Sequence, residues 1–239
     1  MMTPLTSGMI GEPIPYLLHT DWLVTSILFL CIILTSLTLS KEKKYLIQQF
    51  KASMTSRERS SMFDESSTSG TLYKHLLILH ACLMLGFCLY YYYANRLPEL
   101  FEHISHGWLL GGYALSVTVF IFLKSMMYRF INGVFFQKVR NSLWMASFFN
   151  LLIWLGILLL PIFLVIVYFD ISSSLSQWMI GILIIFAKFS LFWTCFSNFF
   201  EKIHGAFHLI LYFCALEILP DLLYWKGMEL LSNNLILNL

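Results

Sequence analysis

Six runs of mostly apolar residues, each about the length that crosses a bilayer, divide this chain almost end to end. They cover roughly residues 22–39, 76–95, 108–127, 143–169, 175–198 and 206–225. A helix rises 1.5 Å per residue, so about 20 apolar residues are needed to cross a hydrocarbon core of about 30 Å. No water hydrogen-bonds the backbone there, so an isolated apolar run of that length must be helical. The composition agrees. Only 12% of the 239 residues are charged and mean hydropathy is +0.75, where a soluble domain carries about 25% charge. The fold class expected is an all-α polytopic bundle in one transmembrane domain, residues 1–239.

The basic residues set an expected orientation. Lys41, Lys43, Lys44, Lys51, Arg57, Arg59 and Lys74 fall between the first two segments. Lys124, Arg129, Lys138 and Arg140 fall between the third and fourth, with Lys124 read as snorkelling from the last turn of its helix, and Lys202 falls between the fifth and sixth. Only Arg96 and Lys226 lie on the other side. Cytoplasmic links carry the excess of Lys and Arg, so both termini are expected on the non-cytoplasmic side. No basic residue precedes Trp22, and Lys41-Glu42-Lys43-Lys44 follows the first run. That run is expected to be a retained first span and not a cleaved leader.

Aromatic residues are read as interfacial anchors. Trp22, Trp108, Trp178 and Trp225 fall at outer ends, Trp144 at an inner end, and Tyr90-Tyr91-Tyr92-Tyr93 closes the second segment. The alternative for the four tyrosines is a redox or ligand box. Trp154 and Trp193 are deeper and expected between helices.

The link 40–74 starts basic and helical, then becomes Ser/Thr-rich, a composition that cannot bury a core. Arg57, Arg59 and Phe63 would be the contacts of a docking segment. Residues 129–141 are too polar to span and read as an amphipathic helix resting in the cytoplasmic interface. Residues 226–239 form an outer tail. Gly107 and Gly111 make a G-x-x-x-G, which suggests close helix packing. The five cysteines lie in apolar runs without a C-x-x-C, so packing explains them better than a disulfide or zinc framework.

Two ionisable residues interrupt the apolar runs. Lys188 and Glu217 lie at equal distances from the link joining the fifth and sixth segments. In a hairpin they reach the same depth, where one unpaired charge costs at least about 2.5 kcal/mol. A structural ion pair and a proton or ion relay are both compatible with this. A single pair without further acids makes a poor pathway and favours the first.

Glu201, His204, His208 and Tyr212 share one helix face by spacing, and His75 and His80 begin the second segment on the same side. They form a candidate polar cluster facing the cytoplasm. The spacing is not H-E-x-x-H and specifies no third ligand. No metal, haem or other cofactor is expected.

The chain has no G-x-S-x-G, Walker sequence or paired-carboxylate motif. No catalytic residue is assigned, and the protein is expected not to be an enzyme. A net charge of +2 gives no reason to expect nucleic acid. The partners expected are the bilayer and other membrane proteins.

The Ser-rich first link with Arg57-Glu58-Arg59, Lys124 at the end of the third span, and the run from Phe207 to Pro220 with Tyr212, Glu217 and Pro220 together resemble a family of Bacteroidota integral membrane proteins. That family is classed as a domain of unknown function, family 4271. The resemblance covers most of the chain. It implies the bacterial inner membrane, multi-pass, and brings no activity or catalytic residue. Two functions are compatible with these observations. One is a non-enzymatic accessory or scaffold subunit of an envelope complex for secretion or biogenesis. The other is a small proton-linked transporter using the Lys–Glu pair and the cytoplasmic-side histidines.

Overall fold

A computed structural model of the chain describes residues 21–54, 68–135, 138–169, 171–199 and 213–237. All regular structure among them is helical. The helices are α1 (Trp22–Met54), α2 (Thr68–Arg96), the short α3 (Pro98–His103), α4 (His106–Phe135), α5 (Lys138–Tyr168) and α6 (Ser173–Phe199). A π-helical turn (Cys214–Ile218) then runs into α7 (Leu219–Leu237).

Five helical stretches are long and apolar enough to cross a membrane: Trp22–Lys41, Leu72–Arg96, His106–Val134, Asn141–Tyr168 and Ser173–Phe196. They fall on the first five segments read from the sequence. Of the sixth, residues 206–212 lie outside the described residues. From 213 onward the chain is helical but carries Glu217, Asp221, Lys226 and Glu229.

One boundary differs from expectation. Residues 129–135 do not form a separate interfacial helix; they continue α4 without a break. Each internal turn adds backbone hydrogen bonds at no nucleation cost, so a mixed polar and apolar sequence extends an existing helix readily. Lys124 therefore does not end the helix.

α2 is the central member, packed on α4 and α5, with α1 laid against α5 and α2 and α6 against α5. Two close approaches set these contacts. A Cβ on Gly86 would lie 2.6 Å from the Ala114 Cα of α4, and one on Gly156 of α5 would lie 2.6 Å from the Ala81 Cα of α2. Lipid tails compete with apolar side chains for any apolar surface, so helices in a bilayer gain by bringing backbones together at small residues. The G-x-x-x-G at Gly107 and Gly111 is not such a contact: Gly111 has nothing within 4 Å of its would-be Cβ, and Gly107 meets only the tip of Leu23.

α7 runs antiparallel along α4, and four contacts fix the register. The Tyr113 and Ser232 hydroxyls are 3.4 Å apart. Ser116 Oγ and Tyr224 OH are 2.8 Å apart. Phe120 stacks on Tyr224 at 4.3 Å between ring centroids. Lys124 meets Asp221. Most of these positions are polar or aromatic, so the α4–α7 seam is lined with hydroxyls and charges.

Candidate functional site

Burying a charge in a membrane protein is tolerated when opposite charges and hydrogen bonds surround it. The π-helical turn carries Glu217 into that situation. Lys188 Nζ of α6 donates to Glu217 Oε2 at 2.6 Å. Lys124 Nζ of α4 donates to the same oxygen at 2.7 Å, and the Tyr128 hydroxyl donates to Oε1. One turn on, Asp221 meets both ammonium groups: Lys124 Nζ at 2.8 Å and Lys188 Nζ at 2.5 Å. Two cations and two anions thus close a neutral ring that ties α4, α6 and α7 together.

The ring has a covered half and an open half. Glu217 is 1% exposed and Lys124 4%, whereas Lys188 is 38% and Asp221 31% exposed. Lys124 lies ten residues before the end of its apolar stretch at Val134, and Lys188 eight before the end of its own at Phe196. At 1.5 Å per residue these are about 15 Å and about 12 Å, well inside a core of about 30 Å. Tyr128 is wedged between the ring and α5, 5.4 Å from the centroids of both Trp144 and Phe148. The π-helical turn adds a residue to the helix at this point; such turns occur frequently at functional sites.

Lys124 is thus not a snorkelling residue. Its side chain has no route to the headgroups from mid-helix and finds Glu217 and Asp221 instead. Sequence reading had named Lys188 and Glu217 but had missed Lys124, Tyr128 and Asp221. A signal for Asp221 was present: it stands four residues after Glu217, on the same helix face.

The histidine cluster is not assembled by the described residues. His75 is exposed, while His80 is fully buried with Nε2 3.3 Å from Thr35 Oγ1 of α1. The five-residue spacing puts the two on different faces. Glu201, His204, His208 and Tyr212 lie outside the described residues, as do Arg57, Arg59 and Phe63. Among the described residues no three His, Cys, Asp or Glu side chains come together as a metal site would need.

The tyrosine run is not a lipid-facing belt. Tyr90, Tyr91 and Tyr93 are buried. Tyr90 OH lies 3.2 Å from His106 Nδ1, Tyr93 stacks on Tyr113 at 5.3 Å, and Tyr92 packs edge-on against Trp225 at 4.7 Å. Four successive helical residues sweep about 300° around the axis, so they cannot all face lipid. Trp144 also departs from the belt reading: it is 0% exposed, whereas Trp22, Trp108 and Trp178 are exposed. Trp193, expected between helices, is exposed.

Five helices long and apolar enough to cross a membrane, with a charge ring joining α4, α6 and α7, define the class of multi-pass α-helical membrane proteins. Within that class the chain belongs to the family of the domain of unknown function DUF4271, whose model matches residues 24–228. The match takes in the whole charge ring. No curated protein and no solved structure matches the chain.

Proposed function

We propose that this protein is a small proton-linked carrier of the bacterial inner membrane, with the ring of Lys124, Lys188, Glu217 and Asp221 as its working element. The observation that carries this reading is the placement of Glu217. It is a buried carboxylate, held in a π-helical turn, shared by two lysines from two other helices. Ionisable groups at this depth are rare, and ion and proton pathways are among the places that hold them. A lone Lys–Glu pair argued against a relay; the second acid, the second lysine and Tyr128 remove that objection.

The ring also has two arrangements available to it. With Glu217 ionised, α7 is tied to both α4 and α6. A proton on Glu217 gives the ring a net positive charge and leaves Asp221 alone to hold both ammonium groups, so the π-helical turn is released while α7 stays tied through Asp221. Proton entry is through the open half: exposing Lys188 and Asp221 to hydrocarbon is costly, so water reaches them.

The architecture proposed is six spans with both termini outward. It is supported by the antiparallel run of α7 along residues 113–124 of α4, inside a stretch long and apolar enough to cross a membrane. The basic links between the first and second segments and between the third and fourth support the orientation even without Lys124.

The test is proton movement in proteoliposomes carrying a pH-sensitive dye inside, under an imposed pH gradient. Wild type is expected to pass protons and Glu217→Gln, at equal incorporation, to fail. Equal leak in wild type, Glu217→Gln and empty vesicles would sink the carrier reading.

A second reading is favoured by the same open half. Ile185, Phe186 and Phe189 flank Lys188 and are exposed. A helix of another membrane protein lying there would cover both the apolar face and the open charges, as an accessory subunit of an envelope complex requires. Mild-detergent purification from the native host decides: a partner at fixed ratio supports the subunit reading, and a lone protein removes it.

A further inference from the structure

A second polar site lies at the far end of the α4–α7 seam. Twelve residues separate Glu217 from Glu229, about 18 Å along the helix, so it is distinct from the charge ring. There a cavity of about 350 Å³ is lined by Tyr92, Tyr93, Arg96, Leu97, Trp225, Glu229 and Asn233. Its size falls in the usual range for small-molecule sites, about 300–1,000 Å³.

We propose that this cavity binds a small zwitterion, with an ammonium group and an anionic group a few bonds apart. Arg96 supplies the anion contact. Its guanidinium makes no hydrogen bond or ion pair among the described residues, and its fork suits carboxylate or phosphate. Glu229 supplies the ammonium contact. Lys226, which does not line the cavity, occupies Oε2 at 2.8 Å, and Oε1 is left for a ligand. The hydrogen bond and charge of Lys226, with Arg96 beyond it, hold the Glu229 carboxyl below the usual carboxylate range, so it is ionised when a ligand arrives.

The wall between the two charges is aromatic. Tyr92 and Trp225 meet edge-on, and Trp225 and Tyr93 stack at 6.5 Å with 25° between their planes. Ring faces attract an ammonium group. One charge of each sign on the wall fits a zwitterion; a bare anion would use Arg96 but not the open oxygen of Glu229, and a bare amine would leave Arg96 without a partner.

Arg96 closes a membrane-crossing stretch, Leu72–Arg96, so the cavity sits at headgroup level. The same chemistry could come from a soluble zwitterion or from a phosphatidylethanolamine headgroup. Calorimetric titration of the purified protein with phosphoethanolamine, phosphate alone and ethanolamine alone tests the soluble source. Native mass spectrometry after incorporation into vesicles of mixed phosphatidylethanolamine and phosphatidylglycerol tests the lipid source. The expected result is a phosphoethanolamine preference of tenfold or more over either fragment, or one retained phosphatidylethanolamine per chain, or both. Arg96→Gln and Glu229→Gln should each lower that binding about tenfold with the melting temperature of the free protein unchanged. Phosphate binding as tightly as phosphoethanolamine would overturn the proposal, as would binding that ignores both substitutions. Absence of both the free and the lipid headgroup would also overturn it.

Discussion

The two sides of α4 are held by different physics. On one side α4 meets α2, and α2 meets α5, at Ala114 against Gly86 and Ala81 against Gly156, where backbones approach too closely for a Cβ on the glycine. On the other side α4 meets α6 and α7 through two lysines, two carboxylates and Tyr128. The first contact depends on shape and has one arrangement. The second depends on charge. In lipid, where apolar burial drives little association, shape and polar bonds are the two means of holding helices together. This bundle uses both: small residues bring α2 against α4 and α5, and the charge ring joins α4, α6 and α7, while α6 also packs on α5.

The largest effect on this contrast comes from removing one charge of the ring. Glu217→Gln leaves two ammonium groups facing Asp221 alone, and breaking a buried pair in this way costs about 3–5 kcal/mol. Unfolding monitored in mild detergent should show a loss of that size. Loss below about 1 kcal/mol would mean that the ring does not hold α7.

On the shape side, Gly156→Val forces a side chain against the Ala81 backbone. Overpacking of a filled interior costs about 1–3 kcal/mol. The same measurement should place it at the upper end of that range, and Gly111→Val, whose site is open, near zero. Equal effects at the two glycines would erase the distinction between a packed and an unpacked glycine. Lys188→Gln removes the more open cation, and a hydrogen bond to a charged group is worth about 1.5–3 kcal/mol, at the low end where water reaches it. Its cost should be clearly smaller than that of Lys124→Gln. The smallest effect expected is Tyr224→Phe, which loses the bond to Ser116; interhelical hydrogen bonds in membranes average about 0.6 kcal/mol.

Much of the frame was legible because its cause is one-dimensional. A bilayer demands long apolar helices, and hydropathy along the chain finds them, so the first five segments appear with ends within a few residues of those observed, except the third, which runs on to Val134. The sixth was read from apolarity in the same way, but its described part carries Glu217 and Asp221, and Lys226 and Glu229 follow on the same helix. The charge ring was half legible. Lys188 and Glu217 stand out against apolar neighbours, and equal spacing from a link suggests contact. Lys124 did not stand out, because three residues before the apparent end of an apolar run a lysine can equally snorkel or point inward. Only the continuation of α4 through Phe135 decides between them. The tyrosine run was misread for a related reason. Aromatic belts and aromatic cores share composition and differ in which face is covered, which depends on the partner helix. Nothing local to Tyr90–Tyr93 specifies Trp225, more than 130 residues away.

The central claim is that Glu217 and Lys124 act as parts of one ring, and a double-mutant cycle on that pair tests it most directly. Glu217→Gln and Lys124→Gln alone each unbalance the ring by one charge; together they leave the neutral Lys188–Asp221 pair, 2.5 Å apart. The measurement is the unfolding free energy of wild type, both single variants and the double variant in one detergent. The account predicts a double variant more stable than either single one, with a coupling of about 1–3 kcal/mol. Strictly additive losses would contradict it, because they would mean that the two side chains do not sense each other's charge.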